Sequence, residues 1–217
     1  MIPDSAAAPI DFERAGEGDL DALAELMNTA YGGTGDIAGW THVKDFLVGD
    51  RTSASALRTE IQASPQAQFL VVRHPDTGAL RGSVWLEPRS ATVWYLGSLT
   101  VNPREQNSGL GRRILDAAER RMANLGATKV VIDVLNVRGT LLAWYERRGY
   151  KLTGESHAFP YDDNRYGVAQ RPDLEFLELA KDDLQRRDLA RIGLANDDGG
   201  VADGQGVAHV KIGRAHV

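Results

Sequence analysis

The stretch from Thr92 to Leu135 constrains the fold more than any other part of the chain. Thr92–Val101 and Thr128–Leu135 are rich in β-branched and aromatic residues and read as strands. Between them, about Leu110–Leu125 has helical periodicity. Ile114, Leu115, Ala118, Met122 and Leu125 share one face, and Gly126 stands at the stop. Strand, helix, strand implies a parallel crossover. Upstream, Phe69–Arg73 and Gly82–Glu87 are also strand-like. The joins, Pro75-Asp76-Thr77-Gly78 and Pro88-Arg89-Ser90, are turn chemistry and imply antiparallel pairing. The expected fold class is therefore α/β, in an α+β layered arrangement around a mixed sheet.

The flanks are less patterned. Ile10–Arg14 alternates apolar and polar residues as a short strand does. Asp19 can cap a helix facing inward through Leu20, Leu23, Met27 and Ala30, and Gly32-Gly33-Thr34-Gly35 breaks it. Helices are also predicted over Thr41–Val48, over Ser53–Gln62 with Leu57 and Ile61 on one face, and over Arg138–Arg148 with Gly149 closing it. Tyr150–Thr153 and Leu174–Leu179 read as final strands. The expected organisation is a loose N-terminus at 1–9, one domain at 10–182 and a disordered tail at 183–217. Residues 195–217 hold five Gly and no aromatic. The last six residues, Ile212 to Val217, read as the in-frame translation of a sequencing adapter.

Composition removes several classes. The absence of Cys among 217 residues excludes disulfides, a thiolate nucleophile and Cys-ligated metals. A net charge of -5 argues against general nucleic-acid binding. There is no apolar run long enough to span a membrane, and the N-terminus lacks the layout of a signal peptide, so a cytoplasmic protein is expected.

The bend between strand and helix carries the chemistry. It reads Leu99-Thr100-Val101-Asn102-Pro103-Arg104-Glu105-Gln106-Asn107-Ser108-Gly109-Leu110-Gly111. The first amides of a helix lack internal acceptors and sit at the positive end of its dipole, so a glycine-containing entry is an anion seat. Arg104–Arg121 holds five Arg against three acids, and Arg138–Lys151 holds four basic residues against one, in a chain that is acidic as a whole. A polyanionic ligand would favour that contrast. A Walker loop fails because Arg112-Arg113 follows Gly111, and a dinucleotide fingerprint fails because Ile114 stands where its third Gly belongs. Gln106, Gly109 and Gly111 remain, as a phosphate turn or as glycines that let a helix pack closely.

Three segments together, V-x-P-x-x-Q-x-x-G-L-G at Val101–Gly111, Asn136 after the next strand, and W-Y-E-R-x-G-Y at Trp144–Tyr150, resemble the GCN5-related N-acetyltransferase superfamily. The resemblance is strong over about 92–154. It implies a mixed sheet, splayed into a V between the strand ending at Val101 and the strand Thr128–Leu135, with flanking helices. It implies acetyl-CoA as cosubstrate, with no metal. The pyrophosphate would lie on the turn of Gln106, Asn107, Ser108, Gly109, Leu110, Gly111 and Arg112. The pantetheine arm would pair with Leu99, Thr100 and Val101, and Asn136 would contact that arm. Tyr145 matches the tyrosine that protonates the leaving thiolate.

Other assignments rest on the chemistry an amine acceptor needs. A backbone N–H near Leu99–Val101 can meet the developing oxyanion. Glu87, at a strand end, is the candidate base or amine anchor, or an exposed carboxylate. Tyr95 can order a water, or pack in the sheet. Tyr31 and Trp40 can line the acceptor pocket, or the core. Arg51 can meet an acidic acceptor or cap a helix. His157 and Tyr161 fall in a segment read as a loop, a pocket wall or solvated surface. His42 and His74 lack metal-ligand spacing. Trp85 and Trp94 read as sheet core. The expected partner is a small-molecule amine, with no nucleic acid and no membrane, and with a homodimer as an option. A protein amine as acceptor and a non-catalytic acyl-CoA sensor are the alternatives.

Overall fold

The computed structural model describes residues 9–32, 46–163 and 167–184. The strands are Glu13–Arg14 (β1), Leu47–Val48 (β2), Gln68–Arg73 (β3), Leu80–Pro88 (β4), Val93–Val101 (β5), Lys129–Leu135 (β6), Lys151–Ala158 (β7), Val168–Ala169 (β8) and Glu175–Lys181 (β9). The helices are Leu20–Gly32 (α1), Ala54–Ala63 (α2), Leu110–Asn124 (α3) and Gly139–Glu146 (α4).

Seven strands form one sheet in the order β1-β3-β4-β5-β6-β9-β7. β5 and β6 run parallel, as the helix between them demands, and the other pairs of this sheet are antiparallel. The sheet is mixed, as predicted, and helices cover both faces. β2 pairs with β8 as a separate ribbon.

Alternation sorts the side chains between two cores. Along β3, Phe69 and Val71 face α1 and α2, while Leu70 and Val72 face α3 and α4. Trp85, Tyr95, Leu135 and Phe176 complete the first core with Leu23, Met27, Tyr31 and Leu57. Val84, Leu96, Ile132 and Leu179 complete the second with Ile114, Ala118, Met122 and Tyr145. Each large apolar side chain buried this way contributes about 1.5–3 kcal/mol. Trp85 and Trp94 are buried in the sheet, as expected.

Helix ends follow the local chemistry. The Ser53 hydroxyl accepts from the Ala56 N–H at 3.2 Å and opens α2. Gly126, at φ 95°, closes α3 while the Ala127 N–H reaches back to the Met122 carbonyl at 2.9 Å. Two predictions need correction. Asp19 does not cap α1; its carboxylate accepts from Gly16 N at 2.8 Å and from Arg73 at 2.6 Å, which locks a one-turn lead-in to β3. The end of the helix predicted over 41–48 is strand, because Leu47–Val48 finds a partner in β8 and Gly49 turns away at φ 96°. Residues 41–45 of that predicted helix, His42 among them, lie outside the described residues, as does Trp40 before it.

Candidate active site

Two features of β5 open the sheet. Its parallel pairing with β6 covers Val93↔Lys129, Trp94↔Val130 and Tyr95↔Val131, and then stops. Its pairing with β4 slips: Trp85 faces Gly97 and Ser83 faces Thr100, so Ser98 and Leu99 together oppose Val84. Ser98 sits at φ 48°, a conformation that costs a non-glycine residue about 1–3 kcal/mol. A bulge takes one residue out of the ladder and re-aims the strand, here at the point where β5 leaves β6. The Ser98 carbonyl accepts from the hydroxyls of Ser83 at 3.3 Å and Thr100 at 3.2 Å. The Tyr31 hydroxyl of α1 lies 3.3 Å from Thr100 Oγ1 and 3.4 Å from the Leu99 carbonyl. Thus α1 braces the bulge from one face.

A cavity of about 450 Å³ occupies the opening. Leu99, Thr100 and Val101 line it from β5, and Gln106, Asn107, Gly109, Leu110, Gly111 and Arg112 line it from the turn and α3. Ala30 and Tyr31 enter from α1, and Leu141, Trp144 and Tyr145 from α4. The turn is shaped by Asn107 at φ 65° and Gly109 at φ 77°. A Cβ on Gly109 would meet nothing within 4 Å, so this glycine serves the backbone angle and an open face rather than packing. Gly111 packs, since a Cβ there would stand 3.4 Å from Val101 Cγ2. The N–H groups of Leu110, Gly111 and Arg112 precede the first helical acceptor of α3, whose ladder begins with Arg113 N–H to the Gly109 carbonyl at 3.1 Å.

The rim of the cavity is cationic. Arg112, Arg147 and Arg148 line it together, and burial plus repulsion from the other two pushes the Arg148 guanidinium below its usual range. Arg148 stacks 3.6 Å above the Trp144 ring, which fixes that charge at the mouth. Deeper in, Arg138 is 5 % exposed, and its Nη1 has no hydrogen-bond partner among the described residues. Burial lowers its pKa, and the charge interactions upon it come from the phenols of Tyr31 and Tyr145. A buried guanidinium with an unmet donor, three rim arginines and the N-terminal turn of a helix together fit an elongated ligand. That ligand would carry phosphates at one end and amide or acyl carbonyls at the other.

Tyr145 is fully buried, edge-on to Trp144 and Tyr150. Burial, then the neighbouring Tyr31, holds its phenol proton well above the ordinary range, against the opposing pull of Arg138 and Arg148. It is a neutral phenol at pH 7, carried to the cavity wall by the short helix α4.

Several predicted residues stand elsewhere. Ser108 stitches the turn, donating to the Glu105 carbonyl at 2.6 Å and accepting from Leu110 N at 3.3 Å, and is not part of the cavity wall. Asn136 is also absent from the wall. Its amide donates to the Asp173 carbonyl at 2.8 Å and accepts from Glu175 N at 3.4 Å, tying β6 to the entry of β9. Arg138 takes that inward place. It precedes Tyr145 by seven residues, two helical turns, and so shares its face, a spacing that was readable in the sequence. Glu87 accepts from the Trp85 indole at 3.3 Å and lies 4.0 Å from Arg89, outside the cavity. Tyr95 is buried beneath Arg89, 4.7 Å from its ring, and is sheet core. Arg51 does not line the cavity; it donates to the Leu47 carbonyl at 2.8 Å, and burial pushes its guanidinium down to about 10. His157 is on β7 rather than in a loop, because β7 continues to Ala158 in register with β9. Its Nε2 lies 3.9 Å from Asp133 Oδ1. Trp40 lies outside the described residues.

Comparison with known proteins agrees with this architecture. The model of the Acetyltransferase (GNAT) family matches residues 33–150. No curated protein matches the chain significantly. Among solved structures, smu.2055 from Streptococcus mutans UA159 superposes with a TM-score of 0.58 at 15% identity, over 80% of this chain and 99% of that one. The IAA acetyltransferase from Bacillus cereus ATCC 14579 does so with 0.54 at 16%, over 80% and 99%. A spermidine N-acetyltransferase SpeG chimera from Vibrio cholerae and hSSAT gives 0.57 at 14%, over 82% and 98%. Identities this low speak for the fold alone. Among the described residues no helix is long and apolar enough to cross a membrane. With the family model covering more than half of its length, and the parted sheet and glycine turn in place, the chain belongs to the GNAT acetyltransferase family.

Proposed function

We propose that this protein transfers an acetyl group from acetyl-CoA to a small-molecule amine by direct attack in a ternary complex. One observation carries the reading: a single cavity joins the open first turn of α3, the bulge of β5 and the buried Tyr145 hydroxyl. Bound acetyl-CoA would supply an acyl group activated as a thioester. The turn amides and Arg112, Arg147 and Arg148 would hold its phosphates. The edge of Leu99–Val101, freed from β6, would pair with the amides of its arm as an added strand does, with Arg138 donating to a carbonyl of that arm. A main-chain N–H at the bulge would meet the carbonyl oxygen as negative charge develops there. Tyr145 would give its proton to the departing sulfur, a contribution of about 10²–10⁴-fold.

The test is release of free CoA from acetyl-CoA in the presence of small amines, amino acids, polyamines and peptides. Turnover with a small amine supports the proposal. Turnover with peptides alone moves the acceptor class to proteins. Tight acetyl-CoA binding without turnover on any member supports the sensor reading.

A further inference from the structure

Arg138 stands where β6 gives way to α4. Its backbone is committed to the fold. The N–H donates to the Leu135 carbonyl at 2.9 Å, and its own carbonyl accepts from Leu141 and Leu142 N–H, both at 2.9 Å, as α4 begins. Its side chain has no such commitment. Arg138 lines the cavity, is 5 % exposed, and its Nη1 has no hydrogen-bond partner among the described residues. Elsewhere the fold matches a buried cation with an acid: Lys181, equally buried, pairs with Glu119. No carboxylate pairs with Arg138 among the described residues. The groups that act on it are the phenols of Tyr31 and Tyr145, which belong to opposite cores. Burial raises both phenols, so neither brings a negative charge at pH 7.

The rest of the wall leaves that charge unmet. Arg112, Arg147 and Arg148 add to it, and the one acid among the described lining residues, Glu105, accepts from Arg81 Nε at 2.8 Å. Acetyl-CoA does not meet it either. With its phosphates on the turn amides and the rim arginines, the coenzyme is neutral from there to the thioester. A carbonyl of the arm satisfies one donor but is no counter-ion, and a bound coenzyme shields the guanidinium further from water. The planar fork of a guanidinium, with five N–H donors, suits a carboxylate.

We propose that Arg138 is the seat of a carboxylate in the reacting pair and that the acceptor carries it, so that the acceptor is an amino acid rather than a polyamine. The inference rests on the acetyl-transfer reading and names its acceptor class. Two N–H···O bonds to a guanidinium that acts on Tyr145 would fix the acceptor's orientation, with the adjoining amino group turned to the thioester. The same wall repels a polycation, since four guanidiniums line it against one acid that is already paired.

The experiment measures kcat/KM with acetyl-CoA for matched acceptors, alanine against ethylamine and phenylalanine against phenethylamine, with spermidine as the polycation. Wild type, Arg138→Gln and Arg138→Lys are compared. Wild type should favour the amino acid of each pair by about 100-fold or more and turn spermidine over least. Arg138→Gln should cut the ratio within a pair to about threefold or less, and Arg138→Lys should keep part of it. An effect on acetyl-CoA binding is common to both members of a pair and cancels in the ratio. With CoA present, N-acetylalanine should raise the Tm of wild type by several degrees more than N-ethylacetamide does, and Arg138→Gln should lose that difference. Equal rates within the pairs, a preference for the plain amine or spermidine, or a preference that survives Arg138→Gln overturns the assignment and leaves acetyl transfer standing. Turnover of ethylamine far faster with succinyl-CoA than with acetyl-CoA, lost in Arg138→Gln, puts the carboxylate on the acyl group and overturns the acceptor class. A wild type inactive on every amine removes the acetyl-transfer reading itself. The Tm comparison then decides the carboxylate seat alone, and equal shifts with the two ligands overturn it.

Discussion

Tyr95 and Val131 are the last partners of β5 and β6, and beyond them the two strands part. The candidate site is built on that separation. It exposes a strand edge, gives the bulge at Ser98 room to turn, and lets α4 bring Tyr145 to the gap.

Tyr145→Phe should lower kcat by about 10²-fold or more while leaving acetyl-CoA affinity within a factor of two, because the variant removes one proton donor and keeps the ring that packs against Trp144 and Tyr150. Steady-state rates of CoA release, with affinity from a separate titration, check this. An unchanged kcat would remove the acid role.

Gly109→Asp should weaken acetyl-CoA binding at least tenfold. The new carboxylate would sit on an open face at the helix entry, where it opposes phosphate, at a φ of 77° that Asp tolerates better than most residues. Calorimetric titration measures it, and circular dichroism confirms that the fold is retained.

Arg138→Met separates binding from stability. The buried guanidinium has an unmet donor, and the charge interactions upon it come from phenols, so replacing it by an apolar side chain should raise stability by roughly 1–2 kcal/mol, a few degrees in Tm. The same change should raise the KM for acetyl-CoA several-fold. Thermal unfolding of the free protein, paired with kinetics, tests both halves. Lower stability would mean that the fold, rather than the ligand, requires this charge.

Asp133 should mark the pH dependence of stability. Its carboxyl titrates at about 6 in the fold against an ordinary 3.8, so the fold favours the protonated form. That contribution is complete below about pH 3.8, fades as pH rises to about 6 and is gone above. Asp133→Asn does not titrate. Its stability relative to wild type should therefore increase between about pH 4 and 6, by at most about 3 kcal/mol, and then level off. Urea unfolding of both proteins across that range checks the sign.

The sequence was most legible where local rules and tertiary structure agree. The amphipathic face of α3 and the glycine after it were readable because periodicity and a left-handed stop both act locally. The turn of Gln106–Arg112 was readable for the same reason, as was the helix that carries Tyr145. Asn136 misled because its role is decided by Asp173 and Glu175, which come near only when β9 closes the sheet. Glu87 misled because Arg89 and Trp85 claim its carboxylate. The bulge at Ser98 leaves no local trace, since it arises from a register slip between two strands. His157 read as solvated loop until the pairing of β7 with β9 set it beside Asp133.

The most direct test is a crystal structure with acetyl-CoA bound. The pyrophosphate should lie against the main-chain N–H groups between Asn107 and Arg112, the arm along Leu99–Val101, and the sulfur within hydrogen-bond reach of the Tyr145 hydroxyl. A coenzyme seated outside the opening between β5 and β6, or a diphosphate away from that turn, would contradict the assignment of this cavity.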